Sequence, residues 1–73
     1  MKKEVFIHTP FIKMDALIKL AGVTSTGGHA KVLILEGNVL HNGEVCTMRG
    51  KKCVVGDVIT VEGMNIHVTQ GNK

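Results

Sequence analysis

Ser25-Thr26-Gly27-Gly28-His29-Ala30-Lys31 opens a short apolar helix, and a basic segment, Met48-Arg49-Gly50-Lys51-Lys52, follows further along the chain. A small domain has few uses for a glycine-rich helix start combined with a cationic turn, and polyanion binding is one of them. Thr24, Ser25 or Thr26 supplies a side-chain oxygen suited to capping the helix. Its interior, Ala30-Lys31-Val32-Leu33-Ile34-Leu35-Glu36, runs to Gly37, a residue suited to the left-handed position that ends helices. Four consecutive apolar residues in that interior predict cover on more than one side, by another helix and by a sheet. Lys31 is left as the exposed cation.

Upstream, Met14, Leu17, Ile18 and Ala21 recur at i, i+3, i+4, i+7, which predicts a two-turn helix over 14–21 stopped by Gly22. Lys13, Asp15 and Lys19 then face water. Val5-Phe6-Ile7 reads as a short strand that Thr9-Pro10 ends, because proline cannot donate to a ladder. Downstream the pattern turns to short β segments. Val39-Leu40-His41 and Glu44-Val45-Cys46 flank Asn42-Gly43, a strong two-residue hairpin signal, since both turn residues tolerate positive φ. Val54-Val55-Gly56-Asp57 leads into an alternating strand, Val58-Ile59-Thr60-Val61, and Gly63 separates it from a last one, Ile66-His67-Val68.

At 73 residues the chain makes one domain, and a domain this small buries only about 60% of the surface its unfolded chain exposes. Walls for a deep substrate cleft would have to come out of a minimal core, so a surface-binding module fits the size better. The net charge of +3 is local rather than spread: Arg49, Lys51 and Lys52 have no acid between them, whereas Asp57 and Glu62 lie further along. Cys46 and Cys53 are too few for a disulfide scaffold, which favours a cytoplasmic home. No apolar run has signal-peptide length or the roughly 20 residues needed to cross a bilayer, so no membrane partner is expected.

Several chemistries can be weighed from residue types alone. Gly27 and Gly28 allow close approach to the backbone, and the unpaired amides of a first helical turn favour a phosphate beside His29 and Lys31. Two glycines after Ser-Thr also make a tight interhelical turn, the commoner meaning of such a run. Arg49, Lys51 and Lys52 read by default as a solvated turn, yet three cations without neighbouring acids repel one another, a cost that a polyanion relieves. Cys46 and Cys53, with His41 or His29, have no Cys-x-x-Cys spacing, so neither a metal nor another cofactor is expected; His8 and His67 read as surface or strand-face residues. The carboxylates form no close pair and no serine or cysteine has an evident base, so catalysis is not expected. Phe6 and Phe11 are the only aromatics, which leaves no platform for stacking a run of bases.

Taken together, Leu17-Ile18-Lys19-Leu20-Ala21-Gly22-Val23, Ser25 to Lys31, Leu33-Ile34, Glu36-Gly37, Val39, Asn42-Gly43-Glu44, Arg49-Gly50-Lys51-Lys52 and Gly56-Asp57-Val58-Ile59 resemble the S4 RNA-binding domain family, above all its small stand-alone bacterial members. The resemblance covers residues 12–62. It implies an α+β fold of the αL type, two short helices packed on a small antiparallel sheet, with residues 1–11 as an N-terminal strand extension and 63–73 as a C-terminal strand and tail.

The resemblance also implies binding of structured RNA through the helix pair and the neighbouring loop. Carried over residue by residue, the site is Ser25, Thr26, Gly27, Gly28, His29 and Lys31, with Arg49, Lys51 and Lys52 nearby. Gly27 stands where many S4 domains carry an arginine, which shifts the phosphate contacts onto Lys31, backbone amides and the basic segment. The expectation is a cytoplasmic, monomeric, non-catalytic protein bound to rRNA or tRNA and associated with the ribosome. The alternative is a protein-interaction module that docks on a ribosomal protein or assembly factor with little RNA contact.

Overall fold

Alternation of buried and exposed residues sets the sheet. In the computed structural model, which describes residues 2–24 and 27–71, Val5 and Ile7 of β1 (Lys2–Ile7) turn inward. So do Ile59 and Val61 of β6 (Val58–Val61) and Ile66 and Val68 of β7 (Met64–Gln70). With β3 (Val39–His41) and β4 (Glu44–Val45) these strands form one five-stranded sheet in the order β1-β7-β6-β3-β4. Every neighbouring pair is antiparallel except β1 and β7, which run parallel with Val5 opposite Val68. A second, two-stranded ladder joins β2 (Ile12–Lys13) to β5 (Lys52–Cys53).

The two helices lie between these ladders in the chain and share their core. Met14, Leu17 and Ile18 of α1 (Met14–Leu20) are fully buried, as the i, i+3, i+4 spacing requires. In α2 (Gly27–Leu35), Ala30, Leu33 and Ile34 are buried. Both helices end in a Schellman arrangement. Gly22 (φ +82°) donates to the Lys19 carbonyl while Val23 donates to Ile18, and Gly37 (φ +80°) donates to Ile34 while Asn38 donates to Leu33. The glycine stops expected from the sequence therefore work through their left-handed backbone.

The result is an α+β architecture of two short helices on a mostly antiparallel sheet, as the sequence implied. Three details differ from the sequence reading. The last strand extends over seven residues instead of three, because it pairs on both sides, with β1 and with β6. The ladder between β2 and β5 was not anticipated. And α2 is covered on one face only: Val32 and Leu35 remain exposed, since a seven-residue α1 covers only part of it.

Candidate nucleic-acid interface

The basic segment lies in the loop between β4 and β5 and runs into β5 at Lys52, and backbone bonds hold it. Its turn closes through the Lys51 amide donating to the Met48 carbonyl at 3.0 Å. Two further bonds tie it to α1: the Met14 amide donates to the Lys51 carbonyl at 2.9 Å and the Asp15 amide to the Arg49 carbonyl at 3.2 Å. The first amides of a helix lack intrahelical partners, and here the loop's carbonyls supply them. The side chain of Lys13, the residue preceding α1, makes no capping bond. The loop's backbone is tied to the helix, while Arg49 and Lys52 are exposed and Lys51 is half-buried.

The ladder between β2 and β5 adds a fourth cation. Lys13 lies directly opposite Lys52, and like charges in that relationship destabilise a strand pair. Lys52 Nζ sits 5.0 Å from the centroid of the Phe11 ring, whose π face attracts the ammonium and offsets part of the repulsion. Among the described residues, none of Lys13, Lys31, Arg49, Lys51 and Lys52 forms an ion pair. Lys13, expected from the sequence to face water, thus lies with Arg49, Lys51 and Lys52.

The candidates on the helix start form a second group. Gly27 begins α2, and Gly28, His29 and Lys31 are exposed on its first turns. Among the described residues, a side chain at Gly28 would meet nothing within 4 Å. Ser25 and Thr26 lie outside the described residues. The two groups are linked through α1, which packs against α2 and whose first amides hold the basic loop. No hydrogen bond or ion pair joins them directly among the described residues.

A hydrogen-bonded clamp holds the sheet end next to the loop. Asp57 Oδ2 stands 2.9 Å from His41 Nε2 and accepts the Val54 amide at 2.9 Å, while Oδ1 accepts Asn42 Nδ2 at 3.2 Å. Asn42 also accepts the Val58 amide at 2.8 Å. Partial burial pushes the Asp57 carboxyl upward, but the bonds from Val54, His41 and Asn42 outweigh it and hold the group below its ordinary value. In the sequence Asp57 stands out as an acid away from the basic segment and as part of the Gly56-Asp57-Val58-Ile59 run, not as the centre of a clamp. Its role depends on partners 3, 15 and 16 residues away, which no local pattern displays.

Cys53 lies close enough to His41 and Asp57 that one potential metal-ligand atom from each falls within 4.8 Å of the others. This cluster differs from the sets weighed in the sequence, and its Asp57 oxygens are already taken up by the clamp. Burial, with smaller contributions from the Asp57 and Cys46 charges, pushes the Cys53 thiol up to about 12. A thiol held protonated in this way is a poor nucleophile. Cys53 packs as a small apolar group, its Sγ 3.9 Å from Met14 Sδ.

Comparison with known proteins agrees with this architecture. The model of the S4 domain family matches residues 5–69, nearly the whole of both ladders and both helices. The "Probable ribosome maturation protein RlbA" of Bacillus subtilis strain 168 is 41% identical over 63 residues, covering 86% of this chain and 89% of that protein. The "Putative RNA-binding protein YbcJ" of Escherichia coli K12 is 34% identical over 59 residues, covering 81% and 84%.

Proposed function

The chain belongs to the S4 domain family, and from that premise we propose that it binds structured RNA, rRNA or tRNA, in a ribosome-related role. Binding uses phosphate and shape contacts and involves no catalysis. The observation that carries the reading is the cation group around the start of α1. Among the described residues, Lys13 opposes Lys52 without an ion pair to neutralise either, and the loop bearing Arg49 and Lys51 is fixed in place by backbone bonds. A surface that keeps like charges together at a cost is suited to a phosphate backbone. A-form RNA, whose deep major groove side chains do not read, is recognised through its backbone and 2′-hydroxyl groups, which suits a chain with two aromatic residues.

In this reading Arg49, Lys51 and Lys52 hold one stretch of backbone. Lys31, His29 and Gly28, with Ser25, Thr26 and Gly27 before it, take another. The names carried by the two relatives, one for ribosome maturation and one for RNA binding, support the same assignment. The protein works as a single copy in the cytoplasm. No helix among the described residues is long and apolar enough to cross a membrane.

Salt dependence tests the proposal. Each phosphate contact contributes about 0.7–0.9 to the slope of log affinity against log salt. Replacing Arg49, Lys51 and Lys52 with alanine is therefore expected to flatten the slope for a ribosomal RNA fragment by roughly two to three. An unchanged slope overturns the role given to the loop. Recovery of protein but no RNA after crosslinking in cells favours docking on a ribosomal protein or assembly factor.

A further inference from the structure

The phosphate-binding reading leaves one cavity unexplained. A pocket of about 240 Å³ opens between the β3–β4 hairpin and the basic loop, lined by His41, Glu44, Val45, Thr47, Met48 and Lys51 among others. We propose that this pocket receives one unpaired base of the bound RNA, guanine by preference. The inference rests on the RNA reading above and adds a specificity element to it.

Size narrows the ligand. Pockets for drug-sized molecules and whole cofactors run from about 300 to 1,000 Å³, so this one suits a single flat ring system better than a complete nucleotide cofactor. Its position narrows it further. Lys51 belongs to both the pocket and the basic loop, so a phosphate held at Lys51 brings its own base, or the next one, to the opening.

The lining has the two qualities that base recognition requires. Val45 and Met48 are 63% and 65% exposed, a large apolar surface for two residues in a charged neighbourhood. In a chain short of aromatics, the polarizable thioether of Met48 and the branched Val45 provide the contact for a ring face. The β3 wall is firm, because His41 is tied to Asp57 by the 2.9 Å contact. A firm wall keeps the opening from collapsing.

Glu44 selects among the bases. It is among the residues lining the same pocket as Lys51, yet among the described residues its carboxylate takes no hydrogen bond or ion pair. A carboxylate accepts two parallel donors. Guanine presents two adjacent donors, N1–H and the N2 amino group. Adenine and cytosine place an acceptor beside their single amino group, and uracil flanks its one N–H with two carbonyls; each sets a lone pair against the carboxylate. Sequence-specific recognition of RNA commonly reads splayed, unpaired bases on these edges.

The test uses five RNA hairpins, a fully paired parent and four derivatives with one bulged A, C, G or U. Wild-type protein is expected to bind the bulged-G hairpin about tenfold more tightly than the parent, the scale of one bidentate base contact. Glu44→Gln and Met48→Ala are expected to abolish that preference while leaving affinity for the parent within about twofold, since neither removes a phosphate contact. Both side chains are exposed, so the variants retain the fold. In NMR spectra the Met48 methyl resonance is expected to shift on binding the bulged-G hairpin and to stay in place with the parent. Equal affinity for all five hairpins, or a loss in the variants shared by all five, overturns the pocket while leaving RNA binding intact. Binding to none of the five by wild-type protein overturns the pocket together with the RNA reading beneath it.

Discussion

Lys13 and Lys52 stand directly opposite each other in the two-residue ladder between β2 and β5. In the proposed RNA-binding role, stability and binding pull in opposite directions at this pair. Lys13→Glu replaces repulsion with attraction and is expected to stabilise the free protein by about 0.2–1 kcal/mol, seen as a higher urea midpoint. The same change places an acid among the cations proposed to hold RNA and is expected to weaken RNA binding several-fold at low salt. A parallel loss of stability and affinity would show that Lys13 serves the fold alone.

Asn42 does two jobs that one substitution separates. Its φ of +52° and the +89° of Gly43 build the tight turn of the β3–β4 hairpin, while its side chain bridges the Val58 amide and the Asp57 carboxylate. Asn42→Gly keeps the turn conformation and removes both bonds. It is expected to destabilise the protein by about 1–3 kcal/mol. A neutral result in chemical denaturation would mean that the turn alone accounts for asparagine here.

Acid sensitivity follows from the Asp57 clamp. Its carboxyl binds a proton less readily in the folded protein than at its ordinary value of 3.8, so below that value the unfolded chain takes up more protons. The stabilisation is complete above 3.8, falls as pH drops below that value, and is lost as pH passes through the lower folded value. Urea midpoints of wild type are expected to fall as pH drops below 3.8, with Asp57→Asn lower at neutral pH and less steep across the acid range. Identical slopes for the two proteins would remove Asp57 as the source.

The two cysteines should differ sharply toward alkylation. Cys53 is buried with its thiol pushed up to about 12, and Cys46 is half-buried. Iodoacetamide at pH 8 is expected to modify Cys46 in the folded protein and Cys53 only after unfolding in urea. Mass spectrometry of the labelled peptides reads this directly. Equal labelling in the folded state would contradict the packing around Cys53.

Local pattern carried much of the fold. Met14, Leu17 and Ile18 are buried because a 3.6-residue period places them on one face, and Asn42-Gly43 turns because its backbone preference is intrinsic. The ladder between β2 and β5 escaped because two-residue strands have no period to read. Its partners, Ile12 and Cys53, are brought together only by the tertiary fold. The same limit applies to the site. Arg49, Lys51 and Lys52 are visible as a charge run, but Lys13 joins them only through that ladder. The ring of Phe11 beneath Lys52 and the pocket behind Met48 arise from residues that are distant or featureless in sequence.

The parallel pairing of β1 with β7 sets the order in which the molecule is assembled. Within this domain β1 leaves the ribosome well before β7, the strand it docks beside, from Lys2 against Asn65 to Ile7 against Gln70. Val5 and Ile7 therefore wait without their β7 partners until Met64–Gln70 has been made. Helices α1 and α2, the basic loop and the β3–β4 hairpin all precede that moment in synthesis. The cationic surface can thus form on a nascent chain whose sheet is still open, and the final strand closes the domain by bringing in its first.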